Sequence, residues 1–116
     1  MPAIKVILYK QQDGTIPVND FLQGLDAKMR AKMARAIDRL KINGYELREP
    51  YSKSISDGIF ELRAQAATNI SRVLYFFVVN GKAVLTHGFV KKTEKTPQAE
   101  IERAKRYRED YYAREC

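Results

Sequence analysis

The chain has 116 residues, 45% of them hydrophobic and 30% charged, which fits one soluble domain with a sizeable core and argues against a disordered chain. Lysine and arginine number 21 against 14 acidic residues, a formal charge of +7, so polyanions or an acidic protein are the expected partners. No apolar run approaches the roughly 18 residues of a bilayer span, no leader pattern opens the chain, and the single cysteine is Cys116, which excludes a disulfide framework and makes the cytoplasm the expected compartment.

Ile4 to Tyr9 is rich in β-branched residues and is expected as a strand with both faces covered. Gln11 to Gly14 reads as a turn. Pro17, with Asn19 or Asp20, signals a short helix that ends near Gly24 to Asp26. Met29, Met33, Ala36, Ile37 and Leu40 then recur at helical period, and Asn43-Gly44 supplies the stop. Tyr45 to Asp57, with Pro50 and three serines, is expected as a surface loop.

Three strands follow. Ile59 to Ala64 places Phe60 and Leu62 on one face and Glu61 and Arg63 on the other. Ser71 to Val79 is apolar on both faces beyond its start, as a central strand should be. Asn80-Gly81 is a strong hairpin signal, and Lys82 to Val90 is expected to return antiparallel. A two-residue loop there sets Val79 opposite Lys82, Leu74 opposite His87, Arg72 opposite Phe89 and Ile70 opposite Lys91. Directly paired residues share a face, so Arg72, His87, Phe89 and Lys91 are expected together. Thr96-Pro97 opens a last helix with Ile101, Ala104, Arg108 and Tyr111 along one side. The order β-α-α-β-β-β-α defines a single-domain α+β fold, an antiparallel-rich sheet with two helices packed on one face and a C-terminal helix.

Cations and an imidazole at one end of a sheet suggest a site for a phosphodiester. Near-symmetric pairing puts Arg63 and Arg72 side by side, where mutual repulsion requires an anion or a carboxylate. Glu61 is a candidate, so an Arg–Glu pair closing the sheet and phosphate binding are both open readings. Arginine suits the second because its planar fork grips two oxygens and never loses its charge. His87, the lone histidine, is either a satisfied core residue or a general acid or base. Strand alternation groups Lys91 with the other cations and sends Lys92 away from them, while Lys95 extends the cationic exit. On the long helix, Lys28, Lys32, Arg35 and Arg39 are spaced 4-3-4, a basic stripe that is either a solvated face or a track for a nucleic-acid backbone or an acidic partner. Tyr107, Tyr111 and Tyr112 can pack on the sheet or stack on bases. There is no glycine-rich phosphate loop, metal-ligand spacing or paired carboxylate, so nucleic-acid chemistry here is expected to need no metal and no cofactor.

Asp57-Gly58-Ile59-Phe60-Glu61-Leu62-Arg63, Ser71-Arg72-Val73-Leu74-Tyr75 and the run from His87 to Pro97, with Ala104, together resemble the RelE/ParE superfamily of toxins, in particular its phage-derived HigB-like branch. The resemblance implies a microbial RNase-like domain over residues 1–116, encoded with an antitoxin, commonly a helix-turn-helix protein. It implies metal-independent cleavage of mRNA on the ribosome. Arg63 and Arg72 would hold the scissile phosphate, and Lys91, with His87 or Lys92, would assist proton transfer. Read as a nucleic-acid track, the stripe of Lys28, Lys32, Arg35 and Arg39, with Lys95, supplies the candidate RNA-binding residues. ParE-type relatives instead poison DNA gyrase by protein contact, and a basic RNA- or protein-binding module without catalysis is a third possibility on the same fold.

Overall fold

The computed structural model describes residues 3–91 and 95–115, so Lys92 lies outside the described residues. The elements are β1 (Lys5–Leu8), α1 (Pro17–Gln23), α2 (Ala27–Asn43), a 3-10 turn (Gly44–Glu46), β2 (Ser52–Ser56), β3 (Ile59–Ala66), β4 (Asn69–Val78), β5 (Lys82–Lys91) and α3 (Gln98–Glu115). They build one five-stranded sheet in the order β1-β5-β4-β3-β2. Among the described residues only β1, which runs parallel to β5, departs from antiparallel pairing.

Local chemistry sets the helix limits. Pro17 occupies the first turn of α1, where its missing N–H costs nothing. The Asp26 carboxylate caps α2 by accepting from the Met29 N–H at 2.8 Å. Gly44 ends α2 at φ 56°, a conformation that a side chain would resist. The helical stripe expected from sequence is the buried one: Met29, Met33, Ala36 and Leu40 face the sheet. Burying a side chain such as Met33 or Leu40 contributes roughly 1.5–3 kcal/mol.

The sheet has two covered faces. On one, α1 and α2 pack with Leu62, Ala64, Val73, Tyr75, Ala83 and Leu85. On the other, Ile59, Leu74, Phe76, Val78 and Val84 pack with Tyr9 and with Ala104 of α3. Polar ties fix α3 along its length: Glu100 to His87 at 2.9 Å, Arg108 to Asp57 at 3.1 Å and Asp110 to the Tyr9 hydroxyl at 2.6 Å. Burial, with the Asp110 bond, pushes the Tyr9 hydroxyl up to about 12, so it remains a donor.

The structure departs from the sequence reading in three places. The expected loop after Gly44 contains a strand, β2, which pairs along β3 through Ser52 opposite Leu62 and Ser54 opposite Phe60. Its serines and lysine give no hydrophobic alternation, because an edge strand takes its order from the neighbour it pairs with. Ser52 is buried, 2.5 Å from the Tyr75 hydroxyl. β1 is an edge strand whose inner residues, Val6 and Ile7, are only half-buried. The hairpin register differs too. Val78, not Val79, faces Lys82, leaving residues 79–81 as the loop, with Asn80 and Gly81 both at φ 71°. A bulge at Thr86 then shifts the pairing by one, so Leu74 faces His87, Arg72 faces Phe89 and Ile70 faces Lys91, as expected. The two irregularities cancel at the end of the sheet that carries the cations.

Candidate functional site

Arg63 on β3 and Arg72 on β4 are directly paired across the ladder. The short connection at residues 67–68 produces this parity: Ala66 faces Asn69, and each step back along β3 keeps the count symmetric. Glu61, two residues earlier and on the same face, receives the Arg63 Nε–H at 2.5 Å and lies 3.6 Å from Arg72 Nε. Its other oxygen accepts from the Thr96 hydroxyl. Arg72 Nη1 also donates to the Lys95 carbonyl at 3.4 Å. Glu61 and Arg72 are wholly buried, whereas the Arg63 side chain keeps 20% of its surface exposed. The Arg–Glu pairing left open by sequence is therefore present. One carboxylate orients both guanidinium groups and joins them to the segment leading into α3.

His87 lies on the same face, opposite Leu74, but it is enclosed. Its ring is 1% exposed, with Nε2 at 2.9 Å from Glu100 and Nδ1 at 3.2 Å from the Thr86 hydroxyl. The same hydroxyl lies 3.1 Å from the Leu74 carbonyl, and its one proton serves one acceptor at a time. Burial drives the imidazole down to about 4, against the opposing pull of the Glu100 bond, and Arg103 and Arg106 push in the same direction as burial. The ring is thus neutral at pH 7, donating from Nε2 to Glu100. It packs edge-on against Tyr107, with centroids 5.7 Å apart. In this setting His87 ties β5 to α3.

The remaining cations are distributed around this cluster. Lys91 ends β5 in an exposed position opposite Ile70, and Lys95 is exposed as well. Lys95 lines a small cleft with Lys53, Ser54, Thr96, Gln98 and Ile101, separate from the α2 stripe. Lys32, Arg35 and Arg39 of that stripe line a different cleft of about 220 Å³, together with Tyr51, Arg63, Ala64 and Gln65. Lys28 is exposed but is not among the residues lining it. The Arg39 guanidinium sits over the Tyr51 ring, 4.1 Å from its centroid. Tyr107 and Tyr111 pack inward, Tyr107 stacking on Tyr9 at 4.6 Å and Tyr111 meeting Phe76 edge-on at 5.8 Å.

Sequence reasoning paired Arg63 with Arg72 and singled out the α2 stripe as a separate feature, but it did not bring the two together and gave no place to Glu100, Tyr51 or Gln65. A signal for Glu100 existed: an acidic residue three positions after Pro97 belongs in a first helical turn, which in α3 faces the sheet. Tyr51 and Gln65 carried none: Tyr51 immediately precedes β2, the strand that sequence concealed, and Gln65 lies on β3 beyond the end of its pairing with β2.

Fold and clefts together define a small basic α+β domain whose cations gather on α2 and at one end of the sheet. Residues 20–109 match the family described as phage-derived Gp49-like proteins, and the chain belongs to that family, which lies within the RelE/ParE-like toxin superfamily. This toxin-like family is compatible with a toxin–antitoxin role and suggests an antitoxin partner. A search of curated proteins returned no match. Among the described residues no helix is long and apolar enough to cross a membrane.

Proposed function

We propose that the protein is the toxin of a type II toxin–antitoxin pair of the HigB-like kind, and that it cleaves mRNA on the ribosome as a metal-independent endoribonuclease. The observation that supports this reading most directly is the position of Arg63. It belongs to the Glu61–Arg72 cluster and, at the same time, lines the open cleft shared with Lys32, Arg35 and Arg39. At the uncovered edge of β3, where Arg63 borders the cleft, its partly exposed side chain is already oriented by the buried Glu61 carboxylate on the face shared with Arg72. Such preorganisation is what stabilises charge developing on a phosphoryl group.

In the reaction the RNA 2′ oxygen attacks the adjacent phosphorus, the P–O2′ bond forms and the P–O5′ bond breaks. The 2′ hydroxyl loses its proton and the departing 5′ oxygen gains one. Arg63 neutralises the phosphoryl oxygens, and Arg72 supports it from behind through Glu61. Lys91, exposed at the end of β5, is suited to protonate the leaving oxygen, with Lys92, next in the chain, as the alternative. His87 is buried and neutral. Its role in this scheme is to hold α3, not to touch RNA.

The test maps new RNA ends in a translation extract supplied with wild-type protein, Arg63→Ala or Arg72→Ala. Removing a preorganised charge stabiliser costs on the order of 100-fold or more, so both variants should lose cleavage while Arg63→Ala stays folded. Equal cleavage by wild type and Arg63→Ala would reject the assignment. Inhibition of purified gyrase without any RNA cleavage would transfer the protein to the ParE-type activity.

A further inference from the structure

We propose that the cleft between α2 and the edge of β3 is a binding groove for single-stranded RNA, with Lys32 and Arg35 on the phosphates and the Arg39–Tyr51 pair as a stacking platform. This inference rests on the ribonuclease reading and names the part of the site that carries substrate to Arg63.

The groove exists because β2 is short. Pairing between β2 and β3 ends at Ser52 opposite Leu62, and the last β3 link on that side is the Arg63 N–H to the Tyr51 carbonyl at 3.2 Å. Beyond it the edge of β3 from Arg63 to Gln65 is uncovered by β2, and α2 forms the opposite wall. Residues 32, 35 and 39 are three and four apart, so they line one side of the helix at intervals of roughly 5–6 Å. Among the described residues no carboxylate lines the groove.

Charge alone would serve an acidic protein segment equally well. The aromatic decides the matter in favour of RNA. Tyr51 is 44% exposed, although it carries a guanidinium against its ring. A cationic track interleaved with an open aromatic face is how sequence-tolerant single-strand binding is built, phosphates on the cations and a base on the ring. Gln65, exposed at the far wall, adds amide donor and acceptor groups for a base edge. Continuity with Arg63 gives the strand a direction, from the helix towards the paired arginines.

The experiment measures binding of a short fluorescent RNA, 2′-O-methylated so that it cannot be cut, to the full-length protein over a series of salt concentrations. Lys32→Gln and Arg35→Gln are expected to weaken binding several-fold and to lower the salt slope by about 0.7 each. Tyr51→Ala should weaken it about five-fold or more with the salt slope unchanged. On cleavable mRNA, the same variants should raise KM and leave kcat near wild type. Thermal midpoints matching wild type establish that the variants fold. Wild-type affinity in all three folded variants overturns the inference, as does competition by a polyglutamate peptide that is unaffected by Tyr51→Ala. Binding that follows the expected pattern without any cleavage would remove the ribonuclease reading and keep the groove. Cleavage that ignores the groove variants would do the reverse.

Discussion

Arg63 and Arg72 stand directly opposite each other on β3 and β4, and the buried Glu61 carboxylate reaches both, at 2.5 Å and 3.6 Å from their Nε atoms. Two like charges on neighbouring strands would separate on electrostatic grounds; the shared carboxylate makes their pairing a stable part of the fold. The same residue thus links core energetics to the proposed chemistry.

Glu61→Gln is expected to destabilise the domain by on the order of 3 kcal/mol, because it removes the negative charge beside a fully buried guanidinium. Urea unfolding of wild type and variant measures this. A loss below about 0.5 kcal/mol would show that the carboxylate does not hold the pair.

His87 gives the fold a pH dependence whose sign is fixed by its environment. Its folded value near 4 lies below the ordinary 6.5, so the unfolded chain takes up the proton first. Its contribution is intact above about pH 6.5 and is lost as pH falls through about 4, a change on the order of 3 kcal/mol. Urea midpoints followed across this range should fall for wild type and fall less for His87→Gln. Parallel curves for the two proteins would contradict the assignment.

Gly88 marks the place where α1 touches the sheet. A Cβ there would lie 2.2 Å from Cδ2 of Phe21, inside the ring's own volume. Gly88→Ala should therefore cost about 1–3 kcal/mol through overpacking. Phe21→Leu in the same chain should recover part of that loss, and a double variant that is simply additive would place the clash elsewhere.

Arg63→Ala separates chemistry from stability. With its side chain partly exposed, the substitution should cost far less stability than Arg72→Ala, yet reduce mRNA cleavage comparably. End mapping together with thermal melts checks both halves. Full cleavage by a folded Arg63→Ala protein is the outcome that defeats the proposed mechanism.

What sequence could disclose depended on periodicity. The α2 stripe from Met29 to Leu40 and the apolar β4 declared themselves, since buried faces impose a repeat. β2 did not, because an edge strand of serine and lysine has no apolar repeat to betray it and takes its order from β3. Register near the site was readable from Asn80-Gly81 only through a coincidence: the longer loop and the Thr86 bulge each move the pairing by one residue, in opposite senses. Residue types suggested a cationic cluster but could not say which members would be buried. Only packing of α3 distinguishes the enclosed Arg72 and His87 from Arg63, which opens to the α2 cleft.

The parallel union of β1 with β5 has a bearing on how the molecule is made. Lys5 waits for Lys82 as its neighbour, and Tyr9 waits for Asp110. A growing polypeptide leaving the exit tunnel therefore lacks both its final sheet and the support beneath Glu61 until β5 and α3 have followed.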